Sequence, residues 1–192
     1  MIMVDLKITG LTTTIIYDGE MHSVENVFSV LPEQYKDFVR LREDFIAEHE
    51  IYWKAGRYEI ILEKTDFIYD EENYQINIVQ NASLEINRRN ITIQTGSREV
   101  NYPNIAINTR ILIENGIAQT DYIDPNDILW PSQEGIGGKN NIPEIKIIND
   151  YINEESTDCY NIIWNYGFLT VLPTENVPFY RILGIKKQQD FS

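Results

Sequence analysis

Isoleucine dominates the apolar residues of this chain: 31 Ile stand against 11 Leu and only 5 Ala in 192 residues. β-Branched side chains lose rotamers in a helix and sit well on a pleated, half-buried surface, so this skew favours sheet over helix. The 18 Asn point to an AT-rich coding bias as a second source of the skew. The spacing of the apolar residues therefore has to decide.

That spacing is period two along much of the chain. Val4, Leu6 and Ile8 share one phase, and the run from Thr12 to Tyr17 follows a break at Gly10, which reads as a hairpin. Asp18-Gly19 is a strong turn dipeptide, after which Val24, Val27 and Phe28 suggest a short third element. The segments 57–64, 74–80, 82–87, 90–95 and 105–113 read as further strands separated by polar turns. A two-residue turn at Arg88-Arg89 would pair Asn87 with Asn90, Ile86 with Ile91 and Leu84 with Ile93, placing the four apolar side chains on one face. Residues 161–172 predict strand, turn and strand.

Helical spacing appears twice. From Pro32, a favoured first helical residue, Tyr35, Phe38, Val39, Phe45 and Ile46 recur at intervals that predict an amphipathic helix over about 32–48. Ile145, Ile148 and Ile152 predict a short second helix over about 144–153. Between about 121 and 143 the periodicity is lost to turn chemistry at Asp124-Pro125-Asn126-Asp127, Trp130-Pro131 and Gly135-Ile136-Gly137-Gly138. A loop of that length is uncommon unless it is functional or disordered, and Ile128-Leu129-Trp130 at its centre needs a surface to dock on. The expected architecture is α+β: a mainly antiparallel β-sheet, the two helices and this long extended loop, in a single domain over 1–192. A chain of 192 residues buries about 70% of its unfolded surface, so no disulfide or metal staple is required.

The single Cys159 rules out an internal disulfide and a multi-thiolate zinc site, and fits a reducing compartment. Asp5 interrupts the first ten residues, no apolar leader core is present there, and no 18 apolar residues run together, so a cytoplasmic location, or an assembly produced there, is expected, with no membrane span. Net charge is −14, from 30 acids and 16 bases, and this field disfavours direct nucleic-acid or anionic-lipid binding. Nine acids and two bases (Lys139, Lys146) lie between Asp121 and Asp158, a local charge of −7.

Motifs that carry chemistry are missing. Two histidines, His22 and His49, and one cysteine fall short of a zinc ligand set at ordinary spacing. Acids at 66–72 and 121–127 lack the order of a calcium loop, and no serine-nucleophile elbow occurs. Gly135 to Asn140 lacks the spacing, the hydroxyl residue and the preceding strand of a phosphate loop. Cys159 lies among Tyr160, Ile162 and Ile163, a setting for a buried, inert thiol. No cofactor, metal or catalytic residue is expected.

The reading this leaves is a non-catalytic protein-interaction or structural subunit of a larger assembly, such as a phage particle component. Its partner is another protein or a second copy, contacted through Asp121, Asp124, Asp127, Ile128, Leu129, Trp130 and Glu134. The alternatives are an acidic inhibitor, immunity protein or nucleic-acid mimic directed at a basic target, and an enzyme without a recognisable motif that uses carboxylates or Tyr and Arg side chains.

Overall fold

The computed structural model describes residues 3–22, 27–48 and 52–174. In chain order its elements are β1 (Val4–Gly10), β2 (Thr12–Ile16), β3 (Phe28–Leu31), β4 (Arg40–Leu41), α1 (Glu43–Glu48), β5 (Gly56–Ile60), β6 (Phe67–Ile68), β7 (Tyr74–Gln80), β8 (Ala82–Asn87), β9 (Arg89–Thr95), β10 (Arg98–Asn101), β11 (Ile111–Glu114), β12 (Asp121–Tyr122), β13 (Gly137–Asn140), β14 (Ile148–Asn149), β15 (Glu154–Glu155), β16 (Tyr160–Asn165) and β17 (Phe168–Leu172). The fold is thus rich in β structure with few helices, as the β-branched composition predicts. Among the described residues no helix is long and apolar enough to cross a membrane. The contacts gather into two compact units, one comprising Met1–Arg89, Ala118–Tyr122 and Asn149–Asn161, the other Asn90–Ile117, Ile123–Ile148 and Ile162–Ser192.

The first unit is organised by two long stretches running parallel. β1 pairs with β7 from Val4↔Tyr74 to Ile8↔Ile78, slips by one residue at Thr9↔Gln80, and the partnership continues as β2 with β8 from Thr12↔Ser83 to Ile16↔Asn87. The stretches pass together from one sheet (β3-β1-β7) into another (β2-β8-β5). Gly10 sits at the crossing because a Cβ there would lie 2.2 Å from the Ala82 nitrogen and the Asn81 carbonyl carbon. Alternate residues Leu6, Ile8 and Ile76 in the first sheet, and Ile60, Leu84 and Ile86 in the second, are buried. Each fully buried side chain of this size contributes about 1.5–3 kcal/mol relative to exposure.

In the second unit β9 and β11 pair antiparallel from Ile111↔Thr95 to Glu114↔Thr92. β17 lies between β10, which is parallel to it, and β13, which is antiparallel. Ala106, Leu169 and Val171 form a buried cluster joined by Val100 and Ile136. Asn141 is buried and acts as a staple: its Nδ2 donates to the carbonyls of Gly96 (2.8 Å) and Asn108 (2.9 Å), and its backbone carbonyl accepts from Thr95 Oγ1 (2.5 Å).

Several expectations from sequence are corrected. The sheets are mixed rather than mainly antiparallel, with parallel pairs β1/β7, β2/β8 and β10/β17. Gly10 is a crossing and not a hairpin turn. Arg88-Arg89 does not turn the chain back: Leu84 faces Tyr58 and Thr13, while Ile93 faces Ile113. The helix expected over 32–48 is divided into a 3-10 turn, Glu33–Phe38, the strand β4 and the short α1, because Val39 is extended (φ −126, ψ 127) and Arg40 and Leu41 pair with Ile68 and Phe67. Tertiary strand pairing has overridden helical spacing there. No helix forms over 144–153, where Ile147 and Asn149 are buried on alternate positions as in a strand. The segment 121–143 is tied down at several points, and the strand expected over 105–113 shrinks to β11 plus a single bridge at Ala106.

Candidate functional site

The seven residues expected to form a contact surface divide between the units. Asp121 belongs to the first, and it is only 6% exposed. Its carboxylate accepts hydrogen bonds from Tyr17 Oη (2.9 Å), Asn149 Nδ2 (2.9 Å), Ser156 Oγ (2.6 Å), Tyr160 Oη (2.8 Å) and Thr120 Oγ1 (3.2 Å). Asn149 is fully buried, donates also to the Gly19 carbonyl (2.9 Å) and accepts from the Ile152 N–H (2.9 Å). Tyr17 and Tyr160 meet edge to face at 5.4 Å, and the Tyr160 hydroxyl accepts from the Ala118 N–H at 3.0 Å. The Asp121 carboxylate is thereby engaged inside its own unit.

The electrostatics fit a structural clamp. Burial strips water from both phenols and the Asp121 charge adds to the effect, so Tyr17 and Tyr160 are held well above the usual tyrosine pKa and remain neutral donors. A carboxylate taken out of water without a cation survives only if donors replace its hydration shell. Here four side chains from segments distant in sequence, and that of the adjacent Thr120, do so. The donors saturate the carboxylate. Its chemical capacity is to hold the end of β2, the 118–122 turn and the 149–160 segment together.

The other six residues lie in the second unit. Asp124 Oδ1 accepts from the Asn126 N–H (2.8 Å) and caps the short turn Pro125–Asp127. Leu129 and Glu144 exchange backbone hydrogen bonds, each 3.0 Å, and Gln133 and Ala106 do the same at 2.9 Å. Ile136 packs on the Ala106 cluster, and β13 pairs with β17. The backbone of this excursion is therefore fixed to its own unit. Ile128 and Trp130 are half-buried, Asp127 and Glu134 are exposed, and the Leu129 side chain points out with 64% of its surface accessible.

Residues considered for chemistry are placed as follows. Cys159 is buried, burial pushes its thiol pKa up, and its sulfur accepts from the Ala55 N–H at 3.3 Å. His22 Nε2 lies 2.8 Å from Asp18 Oδ1, beside the turn that Asp18-Gly19 predicts. His49 lies outside the described residues. Among the described residues no three His, Cys, Asp or Glu side chains converge where they would hold a metal ion.

Sequence reasoning picked Asp121 as a surface acid and missed its partners. Tyr17, Asn149, Ser156 and Tyr160 carry no local signal, because each is selected by contacts across long sequence separations. No protein-family model, curated protein or solved structure matches this chain.

Proposed function

We propose that this chain is a non-catalytic protein-interaction or structural subunit of a larger assembly, of the kind found in a virus particle, and that Leu129 anchors its contact. The supporting observation is the combination of a pinned backbone and an outward apolar side chain at one residue: Leu129 is held to Glu144 by two backbone hydrogen bonds, yet is 64% exposed. Covering the part of this leucine still exposed is worth about 1–2 kcal/mol. Because the backbone is already ordered, little of that is lost to immobilising a loop on binding. Along the chain it stands between half-buried Ile128 and Trp130, and Asp124, Asp127 and Glu134 are the nearest acids in sequence, a mix of apolar and charged residues that protein interfaces use.

The test is the solution mass of the full chain by light scattering after size exclusion, for wild type and Leu129→Asp. The proposal expects a wild-type species heavier than one chain that Leu129→Asp converts to monomer. A wild-type monomer at all concentrations and salt conditions counts against self-assembly. The acidic-inhibitor reading draws support from the net charge of −14, and it differs in sign: binding to a basic target weakens with salt, whereas association between like-charged copies strengthens as salt screens their repulsion.

A further inference from the structure

A second surface, in the first unit, is built from aromatic rings. Tyr35 and Phe38 lie three residues apart on the 3-10 turn Glu33–Phe38, a spacing that stacks side chains on one edge of such a turn. Both meet Tyr74 at the start of β7, and the rings touch pairwise with centroid distances of 6.3 Å (Tyr35–Phe38), 5.7 Å (Tyr35–Tyr74) and 5.8 Å (Phe38–Tyr74). Phe38 is nevertheless 55% exposed, and the two tyrosines are half-buried. A phenylalanine this exposed, seated in a cluster of rings, is a ready anchor for a partner.

The two turns that carry the rings are acidic. Glu33 and Asp37 belong to the same turn as Tyr35 and Phe38. Asp70, Glu71 and Glu72 form the turn leading into Tyr74, whose N–H bonds to the Asp70 carbonyl at 2.9 Å. Against these five acids stands Lys36 alone, so the two turns carry −4. The Asp70 carboxylate is fixed by the Glu72 N–H (3.0 Å) and Asn73 Nδ2 (2.6 Å).

We propose that the Tyr35–Phe38–Tyr74 cluster is a docking platform for an arginine-bearing segment of a partner protein. The face of an aromatic ring attracts cations, and a guanidinium is flat, weakly hydrated and able to stack on a ring while its N–H groups reach carboxylates. A lysine ammonium lacks the planar fork and loses more hydration on docking, so it binds less well. A nucleic acid, an anionic membrane or a second copy of this acidic chain is repelled by the −4 carried on these two turns. This surface shares no residue with the Leu129 contact, so either proposal can fail without the other.

The experiment uses the full chain and a blocked peptide of alternating glycine and arginine, with lysine and citrulline versions, titrated calorimetrically at low and high salt. Citrulline keeps the shape of arginine and removes its charge. The expected order of affinity is arginine above lysine, with no measurable binding of the citrulline peptide, and weaker binding at high salt. Phe38→Ala should weaken the arginine peptide about two- to thirtyfold, and Asp37→Asn should weaken it further at low salt than at high. Tyr102→Ala removes an exposed aromatic side chain from the other unit and should change nothing. Thermal melts of each variant check that the fold is retained. The proposal is overturned if wild type fails to bind the arginine peptide, if Phe38→Ala binds as wild type does, if citrulline binds equally, as on a neutral stacking surface for sugars, or if Tyr102→Ala causes the same loss.

Discussion

Replacing Asp121 by alanine removes the acceptor on which Tyr17, Thr120, Asn149, Ser156 and Tyr160 converge. Asn149 keeps its bond to the Gly19 carbonyl, and the Tyr160 oxygen still accepts from the Ala118 N–H. The hydroxyl hydrogens of Tyr17 and Tyr160, both buried, lose the carboxylate they point to. Each orphaned buried donor costs about 1–3 kcal/mol, and the relief of a buried negative charge offsets part of that sum. A net loss of about 3 kcal/mol results, which for a chain of this length lowers the melting temperature by roughly 6–12 °C. Tyr17→Phe deletes one donor of five and leaves the carboxylate served by the rest, so its expected loss is about 1 kcal/mol. Calorimetric melts of the two variants beside wild type measure the ratio directly. If Asp121→Ala costs no more than Tyr17→Phe, the cluster does not hold the unit together and the reasoning fails.

The remaining expectations concern the same fold. Both buried phenols have pKa values raised above that of an unfolded tyrosine, so their stabilisation is intact below about pH 10 and is lost as pH rises further, at up to about 1.4 kcal/mol per pH unit for each. Urea midpoints measured across alkaline pH should fall less steeply in Tyr17→Phe than in wild type. Gly10→Ala places a Cβ 2.2 Å from the Ala82 backbone, an overlap that must part the two parallel stretches; we expect a loss of about 3 kcal/mol or more, read as a lower urea midpoint, and an unchanged midpoint would show the crossing to be slack. Asn141→Asp turns a carboxylate toward the carbonyls of Gly96 and Asn108, which the amide now serves. Its expected cost is about 3–5 kcal/mol, recovered in part at acid pH, where the new carboxyl takes up a proton.

The strands were legible wherever a local pattern sufficed. β7 and β8 match their predicted limits, and β9 begins one residue early, because alternation of Ile with polar residues is a property of the strand itself. Partners were not legible. Parallel pairing of residues near 10 with residues near 80 leaves no turn dipeptide to announce it, so Gly10 and Arg88-Arg89 suggested hairpins that do not form. Helical spacing at 32–48 was real as a sequence pattern, yet Phe38 turns outward while Val39 and Phe45 turn in, and β4 claims the residues between. The fate of Asp121 was hidden for the same reason. An acid beside Pro and Gly turns reads as solvated, and only the approach of two tyrosines, two hydroxyl residues and an asparagine reveals it as buried. The triplet Ile128-Leu129-Trp130, by contrast, stands out by its own neighbourhood between acids, and Leu129 is its exposed member while the other two are half-buried.

Leu129 as the anchor of an assembly contact is tested most directly by the mass of the full chain in solution across concentration and salt, with Leu129→Asp alongside. An associated wild type that gains mass as salt rises is expected, with a Leu129→Asp variant that stays monomeric at an unchanged melting temperature. Identical masses for the two proteins, or association that dissolves on adding salt, would contradict it.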